Sequence, residues 1–309
     1  MIIEKNNCIT YGQINGHAAD PQAFINSCCA NYRESVRTAA ERICSDAGKK
    51  IVMLAGPSSS GKTTTARLIA NEVEGRGAKC YTVSLDDFYH SHSSGRYPEG
   101  ENGEPDYESV YALDLDLLHE CLGNLINNGK SSLPLFDFKS GERSEEQREI
   151  ILEENDIIVI EGLHALNPLI TETLDADALF KIYVSVSSRI YDNCGEVLLS
   201  KRDLRFIRRM VRDFRTRNSS PQDTFGIWGS VMNGEDKYLF PFEPLADMKL
   251  NSFHPCEPCV LAGEAIRLLS SVGGEYTSKA ETLTEKLGLF IKTDISLLPA
   301  DSLLREFTG

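Results

Sequence analysis

The stretch "IVMLAGPSSSGKTTT", Ile51 to Thr65, constrains this chain more than any other. A β-branched apolar run stops at Gly56, and Gly56-Pro57-Ser58-Ser59-Ser60-Gly61-Lys62-Thr63 then fits G-x-x-x-x-G-K-[ST] without a mismatch. Strand, glycine-rich turn and helix in that order aim backbone N–H groups from Gly56 through Ser58, Ser59, Ser60 and Gly61 to Thr64 around a phosphate, and the helix dipole adds to the attraction. Lys62 reaches the outer phosphate oxygens, and the Thr63 hydroxyl is suited to ligate Mg²⁺. A turn of purely structural purpose has no reason to put Lys and Thr at a helix start.

The rest of the chain fits an α/β fold around that loop. Short apolar runs near 50–56, 80–85, 156–162, 180–186 and 246–252 predict strands, and helical patterns over 63–75, 113–128 and 199–217 separate them. Alternation of this kind means parallel βαβ units. Residues 20–47 read as a helical preface to the first core strand, and 275–309 as a small helical appendage without recognisable chemistry. The expected division is an N-terminal extension (1–47), a main domain (48–274) and an appendage (275–309). The segment 90–109, rich in Gly, Pro, Ser and acids, predicts a surface excursion beside the site.

Composition removes several function classes. With 32 basic against 46 acidic residues the formal charge is -14, which argues against nucleic-acid or anionic-membrane partners. No apolar run approaches a membrane span, and "MIIEKNNCIT" lacks a secretion signal, so a cytoplasmic protein is expected. Nine scattered cysteines fit reduced thiols better than a disulfide framework. His254, Cys256 and Cys259 in "HPCEPC" have metal-ligand types, but no second Cys-x-x-Cys completes a tetrahedral site, and buried thiols are the expectation.

A phosphate loop needs a second carboxylate for its metal, and "DIIVIEG" supplies Glu161 at the end of a strand. The chain has no Asn-Lys-x-Asp element for reading guanine, no "LSGGQ" signature and no basic track for a nucleic acid, so switches and motors recede. A small-molecule kinase remains, which requires a base at the acceptor hydroxyl and positive charge over the transferring group. Asp86 and Asp87 follow the second strand in "SLDDFY", where open α/β sheets bind ligands, and at most one of an adjacent pair faces the site. Arg202, Arg205, Arg209 and Arg212 recur at helical spacing in "SKRDLRFIRRMVRDFRTR", with Arg208, Arg215 and Arg217 beside them. Such a helix predicts a lid, because guanidinium forks match phosphate oxygens.

The ordered set "GPSSSGKTT", "SLDDFY", "YALDLDLL", "PLFDF", "IEGLHAL" and "RRMVRDFRTR", spanning about Lys50 to Ser252, resembles the uridine kinase and phosphoribulokinase family. The resemblance implies a P-loop kinase fold with an arginine-rich helical lid, and use of ATP and Mg²⁺ to phosphorylate a hydroxyl on a nucleoside or related small alcohol. It implies Asp86 as catalytic base and a second Mg²⁺ neighbour to Thr63 and Glu161. It also implies acceptor contacts from Asp114, Phe136, Asp137 and Arg143, and lid roles for Arg209, Arg212 and Arg217. Two departures stand out: Gly141 occupies the position of a base-reading histidine, and Ser219 that of a lid arginine. The alternatives left open are a kinase of another alcohol or sugar phosphate, for which Arg96, Lys139 and Arg143 could serve, and an ATP-binding regulatory module. Whether the chain forms a homo-oligomer is also left open.

Overall fold

The computed structural model describes residues 8–100 and 103–309, so the first seven residues of the expected extension and two of the excursion lie outside the description. The strands are β1 (Cys8–Thr10), β2 (Ile51–Ala55), β3 (Cys80–Ser84), β4 (Lys130–Asp137), β5 (Glu142–Ile151), β6 (Ile157–Gly162), β7 (Leu179–Ser185), β8 (Arg189–Tyr191), β9 (Val197–Leu199) and β10 (Met248–Asn251). The helices are α1 (Tyr11–His17), α2 (Pro21–Cys44), α3 (Lys62–Glu74), α4 (Leu115–Asn128), α5 (Pro168–Thr171), α6 (Lys201–Thr216), α7 (Pro221–Tyr238), α8 (Glu257–Leu269), α9 (Thr277–Gly288) and α10 (Arg305–Thr308).

Five strands form a parallel sheet in the order β10-β7-β2-β6-β3. β2 and β6 are buried at every residue, as a sheet covered on both faces requires. Successive β2 side chains alternate between the two cores. Val52 and Leu54 join α2, α3, α6, α8 and α9, while Ile51, Met53 and Ala55 join α4, the β4–β5 hairpin and the turn after β3. The ends of the chain belong to this arrangement. Tyr32 of α2 hydrogen-bonds Thr65 of α3 at 2.6 Å, and Ala280, Leu283 and Leu287 of α9 are buried in the same cluster as α2. No helix among the described residues is long and apolar enough to cross a membrane.

The five predicted core strands and the helices over 63–75, 113–128 and 199–217 are present, with ends shifted by one to two residues. Asp114 and Ser200 set two of those starts, each accepting a hydrogen bond from a backbone N–H of the first turn as an N-cap. Four features depart from the sequence reading. The antiparallel hairpin β4–β5 was not expected, because β5 is exposed over most of its length and carries no apolar alternation. α7 begins at Ser220 with a reciprocal Ser220/Asp223 cap and Pro221, a signal present in the sequence. α8, a helix the sequence reading does not include, starts within "HPCEPC"; its His254, Cys256 and Cys259 are packed into the core as the expectation of buried thiols has it, and Cys28, Cys29, Cys44, Cys80, Cys121, Cys194, Cys256 and Cys259 are free thiols. A small sheet in the order β1-β8-β9 completes the fold.

Candidate active site

β2, β3 and β6 run parallel and end on one edge of the sheet, so the loops that follow them meet there. After β2 the chain turns tightly. A Cβ on Gly56 would collide with Val184 O, and Gly61 takes a left-handed φ of 89° as the N-cap of α3. Ser59 also has positive φ, at 57°. The hydroxyls of Ser59 and Ser60 are buried without a hydrogen-bond partner. Lys62 Nζ donates to Pro57 O at 3.3 Å, at the mouth of a cavity of about 290 Å³.

The carboxylates converge from the neighbouring strands. Glu161, at the end of β6, accepts from the Thr63 hydroxyl at 2.9 Å and from the Ser84 hydroxyl at 3.2 Å. Burial, reinforced by the nearby Asp86, pushes its carboxyl up to about 7. A buried acid beside a second acid and a hydroxyl is an oxygen donor set short of positive charge, which suits a hard cation such as Mg²⁺. Asp86 lies in the turn Leu85–Phe88 after β3 and lines the cavity, whereas Asp87 accepts from Phe136 N at 3.2 Å and anchors the hairpin. Glu108, which the sequence reading passed over within the excursion, also lines the cavity, and burial holds its carboxyl near 7 against the pull of Arg209.

The arginine run of α6 divides between two tasks. Arg209, Arg212 and Arg217 line the cavity, gathered by one acid: Asp213 lies 3.2 Å from Arg209 Nε, 2.7 Å from Arg212 Nη2 and 3.7 Å from Arg217 Nε. Arg209 Nη1 also donates to Ser58 Oγ at 2.6 Å. Burial lowers Arg209 from the ordinary arginine range, against the pull of Asp213, Glu108 and Glu235. Arg205 and Arg208 are buried and structural. Arg205 makes two hydrogen bonds to Glu235, at 2.6 and 2.7 Å, and Glu235 accepts from Ser58 N at 2.8 Å, so this pair braces the phosphate loop. Arg208 pairs with Glu257 and donates to Ser59 O at 3.3 Å. Arg202, on the surface with Asp236, does not reach the cavity.

The cavity also has an aromatic wall, built from Tyr89, Phe136 and Phe138. Tyr89 and Phe136 lie 5.9 Å apart, Phe136 and Phe138 5.1 Å, and the Arg217 guanidinium covers Phe138 at 5.2 Å. Three residues expected at the acceptor stand outside the lining. Asp114 caps α4 by accepting from Leu117 N and pairs with Arg143 at 3.2 Å. Arg143 is further held by the carbonyls of Phe88 and Tyr89 at 3.3 and 3.0 Å, and Asp137 turns outward to accept from Lys139 N at 2.9 Å. Local hydrogen bonds at a hairpin turn and a helix cap claim these polar groups before the cavity can.

The segment after α9, read as free of chemistry, reaches the site. Glu306 lines the cavity and accepts from Thr64 N at 3.2 Å, on an amide of the phosphate loop's helix. Leu303 lies against Gly61, where an added Cβ would stand 2.7 Å from Leu303 Cδ1. Phe307 is buried beneath Arg208 at 5.0 Å. Neither Glu306 nor Glu235 carried a sequence signal, since each acts through a loop far away in the chain.

Comparison with known proteins agrees with this geometry. The family described as Phosphoribulokinase / Uridine kinase matches residues 51–256. A uridine kinase of Staphylococcus haemolyticus (strain JCSC1435) is 30% identical over 204 residues, covering 65% of this chain and 87% of that protein. A uridine kinase of Staphylococcus aureus (strain JH9) is 30% identical over 200 residues, covering 64% and 85%. Among solved structures, a fructose transport system kinase candidate from Silicibacter sp. TM1040 aligns with TM-score 0.50 at 16% identity, over 69% of this chain and 98% of its own, a likeness of fold. Because the family match runs from the first core strand through the phosphate loop and the arginine helix, this chain belongs to the phosphoribulokinase / uridine kinase family, as a P-loop kinase acting on an alcohol acceptor.

Proposed function

We propose that the chain uses ATP and Mg²⁺ to phosphorylate a hydroxyl of a nucleoside of the uridine or cytidine type. The observation that carries this reading is a single cavity lined together by the phosphate loop, Asp86, the arginines and a group of aromatic side chains. A nucleoside has the matching parts, a sugar hydroxyl for the acid and a planar ring for the wall. Arg143, the cation best suited to a phosphorylated acceptor, is already committed to Asp114 and two carbonyls, which favours an uncharged alcohol.

In this mechanism the loop amides and Lys62 hold the nucleotide phosphates. Thr63, Glu161 and Asp86 would hold Mg²⁺, which neutralises charge on the phosphate oxygens when bound. Asp86 accepts the proton of the attacking hydroxyl as its oxygen bonds the γ-phosphorus and the bond from that phosphorus to the bridging oxygen breaks, releasing ADP. Arg209 and Arg212, held ready by Asp213, lie where charge develops on the transferring group, and Arg217 closes the acceptor side against Phe138. Leu163 and the aromatic wall limit the water that would otherwise take the phosphoryl group.

The test is ADP release with ATP over a panel of nucleosides, pentose phosphates and other alcohols, with Lys62→Ala as the blank. Turnover of uridine or cytidine well above the hydrolysis background is expected. Activity confined to another alcohol would move the acceptor and overturn the nucleoside assignment. Nucleotide binding without transfer to any acceptor would make the chain a binding module.

A further inference from the structure

We infer that His92 reads the polar edge of the acceptor's ring and so sets specificity, an inference that rests on the nucleoside reading above. His92 belongs to a short turn, His92–Ser94, that is fastened across the tip of the β4–β5 hairpin. His92 N donates to Gly141 O at 2.9 Å, Ser93 N and Oγ donate to the Glu142 carboxylate at 3.1 and 2.9 Å, and Arg143 N donates to Ser91 Oγ at 3.0 Å. Four hydrogen bonds over three successive residues fix the backbone from which the imidazole projects.

The hairpin tip makes room for that ring. Gly141 has a left-handed φ of 71°, and a Cβ built there would come 2.7 Å from His92 Cε1 and 2.8 Å from Cγ. The imidazole therefore fills the space that a side chain at 141 would claim. Its ring centroid lies 5.2 Å from Tyr107, 5.5 Å from Tyr97 and 6.2 Å from Phe136, among the rings that line the cavity. Among the described residues neither ring nitrogen has a hydrogen-bond partner. The neighbouring hydroxyls of Tyr89 and Tyr97 are committed to the carbonyls of Tyr107 and His90.

Stacking on an aromatic wall holds a planar ring but does not tell one ring from another, because every such ring has a π face. Discrimination needs a directed polar group. An imidazole supplies a donor and an acceptor in one rigid plane, matching the carbonyl and amino edge of a pyrimidine. His92 is thus a binding residue for the acceptor, and the hairpin tip at Gly141 is its positioning element.

The test uses steady-state kinetics of the full chain with uridine, cytidine and a riboside bearing a phenyl ring in place of the base. Three enzymes are compared: wild type, His92→Phe, which keeps a ring and removes both nitrogens, and Gly141→Ala, which displaces the imidazole. His92→Phe is expected to lower kcat/KM for the nucleosides about 10- to 100-fold, mainly through KM, while leaving the phenyl riboside within about threefold. Gly141→Ala is expected to give the same selectivity change, and if it fails to fold, His92→Phe alone decides. Equal selectivity in wild type and His92→Phe, or an equal loss on every acceptor, overturns the inference and leaves the proposed function standing. Failure of wild type on every nucleoside overturns the proposed function instead, and the role of His92 with it.

Discussion

Asp86 and Asp87 are adjacent in the chain and separate in task. Asp87 is turned into the fold by the Phe136 amide, and burial raises its carboxyl above the usual range, while Asp86 lines the cavity. Asp86→Asn is expected to lower kcat on the best acceptor by about 10²–10³ and to weaken Mg²⁺-nucleotide binding by far less, since Thr63 and Glu161 keep the metal while the lost base acts only as the new bond forms. Steady-state kinetics paired with ADP titration check this, and near-wild-type turnover would remove Asp86 from the role. Position alone says only that one of the pair faces the site and the family resemblance favours Asp86; the hairpin supplies the physical reason, because the Phe136 amide claims Asp87. Gly141 gives the same lesson from the other side. The family resemblance places a histidine there, and the space is instead filled by the imidazole of His92, forty-nine positions earlier and invisible to any local pattern.

At the scale of elements, α6 answers a choice that spacing alone left open. Its arginines recur every three or four residues, yet one face is a structural brace on Glu235 and Glu257 and the other a cationic surface on the cavity. Periodicity shows that a helix has faces, and only the packed partners show which face is paired. α10 and the residues before it were illegible for a related reason. A carboxylate at Glu306 becomes informative only when it rests on Thr64 N. That carboxylate sits on an amide aimed at anions and adds to the negative charge around Glu161. Glu306→Gln is therefore expected to tighten ATP and ADP binding by about 3- to 10-fold, by removing an anion that competes with phosphate at a helix N-terminus. Calorimetric titration checks it, and unchanged or weaker binding would show that Glu306 does not oppose the nucleotide.

Across the whole molecule, buried polar groups from distant segments reach the phosphate loop, Arg208 at Ser59 O and Glu235 at Ser58 N. His254 lies beneath the sheet with its Nδ1 3.0 Å from Ser252 O and Arg208 nearby, and burial pulls its pKa from 6.5 down to about 4. The unfolded chain therefore takes up a proton that the native chain refuses. The stability this confers is complete above the unfolded value and is lost as pH falls from about 6.5 towards 4, by on the order of 3 kcal/mol for a fully buried group. Melting temperatures of wild type and His254→Gln are expected to fall along different slopes in that window, wild type the steeper. Parallel slopes would show that His254 does not carry this loss. The sequence by itself determined the phosphate loop, the parallel α/β plan and the position of Glu161, because these are written in contiguous residues whose periodicity and backbone needs are local. Tertiary structure alone decided that Arg205 and Arg208 brace the phosphate loop, that Glu108 and Glu306 join the cavity, and that an imidazole stands over Gly141. Each of those depends on contacts between segments far apart in the chain, where burial and hydrogen-bond competition settle what the local pattern leaves open.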